Sequence, residues 1–127
     1  MGHPVVHFEI IGTDPVRLQG YYGELFGWDP QPGDAISDEV SQPGVYGFVD
    51  GATTGEKGVN GGIGGGPGHR PNVLFYVGVP DVETALGKAE SLGGRRLMGP
   101  VPKSGDFTVG RFTDPEGNVI GVAGPSA

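Results

Sequence analysis

Apolar and polar side chains alternate along residues 5–11, and the spacing predicts a strand with His7, Glu9 and Ile11 on one face and Phe8 and Ile10 on the other. The period then changes. Asp14 and Pro15 have the chemistry of a helix start, a capping carboxylate followed by a residue that needs no N–H donor. Leu18, Tyr22 and Leu25 form an apolar stripe, widened by Tyr21 and Phe26, and Gly27 ends the helix. Trp28 opens a short predicted strand, and residues 31–43 read as loop. Residues 45–50 predict a strand, 51–57 a hairpin loop, 58–64 a glycine-rich strand and 64–71 a loop.

The order then repeats. Residues 72–79 predict a strand, and Asp81 caps a helix with Val82, Ala85, Leu86, Ala89 and Leu92 on one face. Gly93 and Gly94 close it, residues 95–98 predict a strand, and 99–105 a loop. Asp114-Pro115-Glu116-Gly117 is a tight turn between strands at 109–113 and 118–123. That hairpin places Val109, Arg111, Val119 and Gly121 on one face.

A shift of 67 positions overlays the halves without a gap: Phe8 meets Phe75, Ile10 meets Val77, Asp14 meets Asp81 and Gly20 meets Gly87. Leu25 meets Leu92 and Gly27 meets Gly94, so both helix caps coincide and an internal duplication is implied. The expected fold is α+β, two βαβββ modules paired into a curved mixed sheet with a central cup suited to a ligand. The modules cover about 4–66 and 70–124 of a single domain spanning 1–127.

Composition changes this picture little. Gly 27 and Pro 12 of 127 residues approach the range of disordered chains, but the periodic apolar pattern argues for many turns instead. The net charge of -7 leaves no basic footprint, so nucleic acid is not an expected partner. Without cysteine there is no disulfide scaffold and no thiolate chemistry. No apolar run reaches membrane-spanning length and no leader pattern opens the chain, so the expectation is a cytoplasmic protein that does not engage a membrane. The glycines of 61–68 lack the Lys-Ser/Thr ending of a phosphate loop and precede a strand. His3 and His69 fall in terminal or loop contexts, and no spacing supports a Ser–His–Asp arrangement.

Val5-Val6-His7, the run from Asp14 through Tyr21-Tyr22 to Leu25-Phe26-Gly27-Trp28, the run from Asp81 to Leu92-Gly93-Gly94, and Asp114-Pro-Glu-Gly-Asn118 together resemble the vicinal-oxygen-chelate superfamily. That superfamily includes glyoxalase I, extradiol dioxygenases and the fosfomycin and bleomycin resistance proteins, so the resemblance implies a fold and several chemistries. It also implies four metal-ligand positions on inner strands. The first is His7; the second falls on Leu74 by the 67-residue shift; the last-strand glutamate falls on Gly121; the fourth lies within residues 59–64, at Gly62 if Gly117 overlays Gly58, with Asn60 the nearest polar option. One ligand of four remains, short of the about three protein ligands of an open catalytic site, so no tight metal and no cofactor are expected.

The candidate site residues are therefore His7, Glu9, Asn60, Tyr76, Arg111 and Gly121. His7 is a hydrogen-bonded residue without chemistry, a ligand contact, a general base or a metal ligand. Glu9 is its partner in acid–base work or the partner of a cation such as Arg111. Arg111 suits a carboxylate or phosphonate, with a structural salt bridge as the plain alternative. Tyr76 lines the cup or packs, and glycine at 62 and 121 leaves room there for an organic molecule. Three functions stay open. One is a binding module for a small organic molecule, as in the drug-sequestering members. Another is an enzyme, either a metal-dependent lyase, isomerase or dioxygenase or a metal-free catalyst using His7 and Glu9. The third is a part of a larger assembly with an empty cup. The resemblance also allows a homodimer.

Overall fold

The computed structural model describes residues 2–32, 37–54, 58–102 and 107–125. Two compact units emerge: His7–Val73, and Met1–Val6 together with Leu74–Ala127. We call them the N-terminal and C-terminal units.

In the N-terminal part of the chain β1 (Val5–Gly12) leads to α1 (Pro15–Phe26), β2 (Gln31–Pro32), β3 (Gly47–Val49), a 3-10 turn (Gly51–Thr54) and β4 (Asn60–Gly65). Their order is β2-β3-β4-β1, antiparallel except that β1 runs parallel to β4. The second repeat is β5 (Asn72–Gly78), α2 (Val82–Ser91), β6 (Arg95–Pro102), β7 (Phe107–Thr113) and β8 (Val119–Pro125). It repeats the pattern: β6-β7-β8 antiparallel, β8 parallel to β5. This is the α+β class, with two βαβββ modules, that the sequence predicts.

Local chemistry accounts for the element ends. The Asp14 carboxylate accepts from Arg17 N at 3.2 Å, and the Asp81 carboxylate accepts from Thr84 N at 3.1 Å. Each satisfies a helix-start N–H that has no partner inside the helix. Gly27 closes α1 at φ 72°, a left-handed conformation that costs a side-chain-bearing residue free energy. Asp114 organises the β7–β8 turn: its carboxylate accepts from Glu116 N, Asn118 N and Asn118 Nδ2 at 2.9, 3.0 and 2.9 Å. The Asn118 amide, backed by these backbone donors, holds that carboxyl below the usual aspartate range.

Three expectations change. Trp28 starts no strand; its ring packs against Phe8, Phe26 and Tyr22, with centroids 5.2, 5.1 and 5.9 Å away. The strand expected at 95–98 runs on to Pro102, through two register shifts, where a loop was expected. Pro100 and Pro102 are tolerated because β6 is a terminal strand of its order and the shifts remove ladder donors that proline cannot supply. The apolar helix stripes are only partly covered: Tyr21, Leu25 and Phe26 are more than half exposed, and Leu92 is 70% exposed. Residues 55–57 of the expected hairpin loop, 33–36 of the first long loop and 103–106 lie outside the described residues.

Each unit has its own apolar centre. In the C-terminal unit Val82, Leu86 and Val122 are buried together, with Val79, Ala85 and Phe112 packed around them. In the N-terminal unit Ile11, Val40, Tyr46, Val49 and Ile63 are buried, and so are the polar Glu9 and Ser41.

Candidate functional site

In the N-terminal unit strand parity brings His7 and Glu9 to one face of β1, as the alternation predicts. His7 is half-buried and Glu9 is fully buried. A carboxylate taken out of water needs strong donors. One comes from Tyr46, just before β3, whose hydroxyl donates to Glu9 Oε1 at 2.9 Å. The same hydroxyl lies 3.0 Å from His7 Nε2. Tyr46 thus joins the two predicted residues, and it was not among the candidates. Its seat is Gly62, the Cα partner of Glu9 on β4. A Cβ at residue 62 would lie 2.0 Å from the Tyr46 ring.

The glycine therefore leaves no room for a ligand side, contrary to expectation; the tyrosine ring already occupies it. A bare glycine inside a strand was the signal available in the sequence, since it often marks close approach of another group. Asn60, the Cα partner of His7, is exposed, and its Oδ1 accepts from Gly51 N at 2.9 Å. That bond ties β4 to the 3-10 turn.

The C-terminal unit has a similar arrangement. Gly121 is the Cα partner of both Arg111 on β7 and Tyr76 on β5. The ring of Tyr76, 1% exposed, lies over it: a Cβ at residue 121 would stand 2.3 Å from that ring. Arg111 Nε donates to the Tyr76 hydroxyl at 3.1 Å, so the guanidinium is oriented by a buried phenol. Arg111, Tyr76 and Gly121 come together, and the room expected above Gly121 is likewise filled.

The residues do not fit the metal that the resemblance implies. Of its four positions, Leu74 is apolar and buried, and Gly62 and Gly121 carry no donor and are covered by rings. His7 alone supplies a nitrogen, and it is engaged with Tyr46. Among the described residues no group of three or more His, Cys, Asp or Glu side chains could hold a metal ion.

Each unit also has an open groove beside its helix. The first, about 460 Å³, lies along β1 and α1 and includes Ile10, Leu18 and Tyr22. The second, about 610 Å³, lies along β5 and α2 and includes Val77, Ala85 and Ala89. These are equivalent positions of the repeat, and the smaller alanines go with the larger groove. Neither groove contains a predicted site residue.

With β1–α1–β2–β3–β4 repeated and its first and last strands parallel, the architecture is that of the vicinal-oxygen-chelate superfamily. Residues 7–123 match the Glyoxalase-like domain family, and the chain belongs to it. Methylmalonyl-CoA epimerase from Mycobacterium tuberculosis is similar in structure, with TM-score 0.64 and 14% identity over 97% of this chain and 88% of that one. A Streptomyces coelicolor methylmalonyl-CoA epimerase in complex with 2-nitronate-propionyl-CoA has TM-score 0.69 and 14% identity over 98% and 99%. A hypothetical protein from Bacillus halodurans has TM-score 0.68 and 11% identity over 100% and 97%. At these identities the likeness concerns the fold. A search of curated protein sequences finds no match. Among the described residues no helix is long and apolar enough to cross a membrane.

Proposed function

We propose that this chain binds a small organic molecule without a tightly held divalent cation. The observation that carries this reading is the pair of tyrosine rings over Gly62 and Gly121. They stand at two of the positions where the superfamily resemblance implies donor side chains, and each turns its hydroxyl to an ionisable partner instead. The β1 face with His7, Glu9 and Tyr46 and the β7 face with Arg111 and Tyr76 are the polar surfaces the reading uses. An arginine fork fixed through Nε suits an anionic group such as a carboxylate or phosphate. The epimerase relatives are described with CoA esters, which are organic anions; that supports an anionic ligand here.

The test is metal analysis of protein purified without chelator, with thermal shifts against zinc, nickel and manganese and against a library of organic acids. The expected outcome is no stoichiometric metal, no shift with the cations, and at least one organic anion that raises Tm. Stoichiometric metal that disappears in His7→Ala would overturn the proposal and restore a metal-dependent lyase or isomerase.

A further inference from the structure

We infer that the groove along α2 and β5 is a second binding site, for a small aromatic carboxylate whose ring lies on the apolar floor and whose acid group meets Lys88. The site goes beyond the reading above, which uses the opposite face of the same strands. Tyr76, Arg111 and Gly121 belong to that face; their chain neighbours Val77, Phe112 and Val122 alternate with them and line the groove.

The space comes from a difference between the repeats. Under the 67-residue shift Ala85 stands for Leu18 and Ala89 for Tyr22. The first half brings an isobutyl and a hydroxybenzyl group to its groove; the second brings a methyl at each position. The grooves measure about 460 and about 610 Å³. The difference, about 150 Å³, matches an engineered apolar cavity of about 150 Å³ that takes up benzene. The floor is firm. Val122 is 4% exposed and buried with Val82 and Leu86, and Ala85 and Phe112 pack against that cluster. A ring laid there removes from water apolar surface that α2 leaves open, and Phe112 offers it an aromatic neighbour. Leu92, 70% exposed on the same groove, extends the apolar wall.

Charge selects the acid. Asp81, Asp114, Lys88 and His3 border the groove. Both carboxylates are already engaged. Asp81 accepts from Thr84 N at 3.1 Å and from the Thr84 hydroxyl. Asp114 accepts three bonds within its own turn, from Glu116 N, Asn118 N and Asn118 Nδ2. The Lys88 ammonium has no hydrogen bond or ion pair among the described residues, so the cation is the pole left for a ligand. It stands at the repeat position of Tyr21, where the first half carries no charge. Lys88 is exposed, and an exposed pair is screened by solvent. The ring therefore supplies most of the affinity, and Lys88 supplies the preference for an anion.

Titration of the whole chain with 3-phenylpropionate, followed in 1H–13C methyl and 1H–15N amide spectra, tests this. The Ala85 and Ala89 methyl signals should shift saturably, with a Kd of about 1 mM. Neutral 3-phenylpropanamide should bind about two- to five-fold more weakly, and cationic phenethylammonium more weakly still. Lys88→Gln should bring the acid down to the affinity of the amide and leave the amide unmoved. Ala89→Tyr restores the residue of the first half and should abolish the shift at Ala85; Ala89→Leu is the smaller filling variant if the tyrosine disturbs folding. No saturable shift of either methyl up to about 10 mM overturns the inference. So does unchanged binding in a folded Ala89→Tyr or Ala89→Leu protein, or phenethylammonium binding more tightly than the acid. Shifts at Tyr76 and Arg111 alone overturn it too, while supporting the reading above, so the two fail separately.

Discussion

Gly62→Ala puts the tyrosine-over-glycine reading at most risk. The added Cβ would lie 2.0 Å from both Cε1 and Oη of Tyr46 and 2.1 Å from Cζ. Carbon contacts settle at about 3.5–4.0 Å, so the ring would have to retreat by roughly 1.5 Å. It has little freedom to do so. Its other edge is against Gly64, where a Cβ would be 2.5 Å from Cδ2, and its hydroxyl is held by His7 and Glu9. Overpacking of this kind costs about 1–3 kcal/mol. Pulling the hydroxyl off a fully buried carboxylate adds about 1–3 kcal/mol. Replacing glycine by alanine in a strand returns about 0.5–1 kcal/mol. The net expectation is a loss of about 1–5.5 kcal/mol, a sizeable share of the roughly 5–15 kcal/mol of a whole domain.

Urea unfolding with an unchanged slope would measure it. The decisive control is the same substitution in a Tyr46→Ala background, where the space is open. There Gly62→Ala should be neutral or slightly stabilising, giving a coupling of at least about 1.5 kcal/mol between the two positions. An equal cost in both backgrounds, or a single-variant cost within about 0.5 kcal/mol of zero, would show that the ring does not hold that space.

Other outcomes follow from the same packing. Gly121→Ala should destabilise for the equivalent reason, and the loss should shrink in a Tyr76→Ala background; calorimetry of the four proteins checks this. Leu86→Ala, at 0% exposure, should cost about 2–5 kcal/mol, while Leu92→Ala on the same helical stripe should stay within about 0.5 kcal/mol; urea midpoints that rank them otherwise refute the burial assignment. The Asp114 carboxyl is held below its usual range, so its stabilising contribution is complete above the ordinary aspartate value of about 3.9 and is lost as pH falls through the lower folded value. Asp114→Asn should therefore trail the wild type most at neutral pH and least in acid; a gap that stays constant with pH would contradict that assignment.

What the sequence made legible was local. Asp14 with Pro15, Asp81, Gly27 and the Asp114–Gly117 turn state their own structures, because capping and turn chemistry act over a few residues. Parity along a strand is equally local, which is why His7 shares a face with Glu9 and Arg111 lies opposite Gly121. Coverage is not local. The stripe through Leu25 and Leu92 is genuine periodicity, but periodicity tells which residues share a face and nothing about whether another element lies on it. Tyr46 was invisible for a related reason. It stands 37 positions from Glu9, and only the pairing of β3 with β4 and of β4 with β1 brings them together.

The error about Gly62 and Gly121 has a physical lesson. An absent side chain looks like space in a sequence, but interiors close-pack, so a bare backbone position invites whatever ring can reach it. The two halves arrive at this packing from different positions. Tyr76 overlays Glu9 under the 67-residue shift, whereas Tyr46 stands before β3, at no position equivalent to Tyr76. The tyrosines are therefore not copies of one ancestral pair. In each half a phenol from a different element covers a bare glycine of the last strand. Covering the backbone requires only the ring. The hydroxyl does more than fill space: it engages His7 and Glu9 in one half and Arg111 in the other, so the same polar outcome arises from positions that are not equivalent in the repeat.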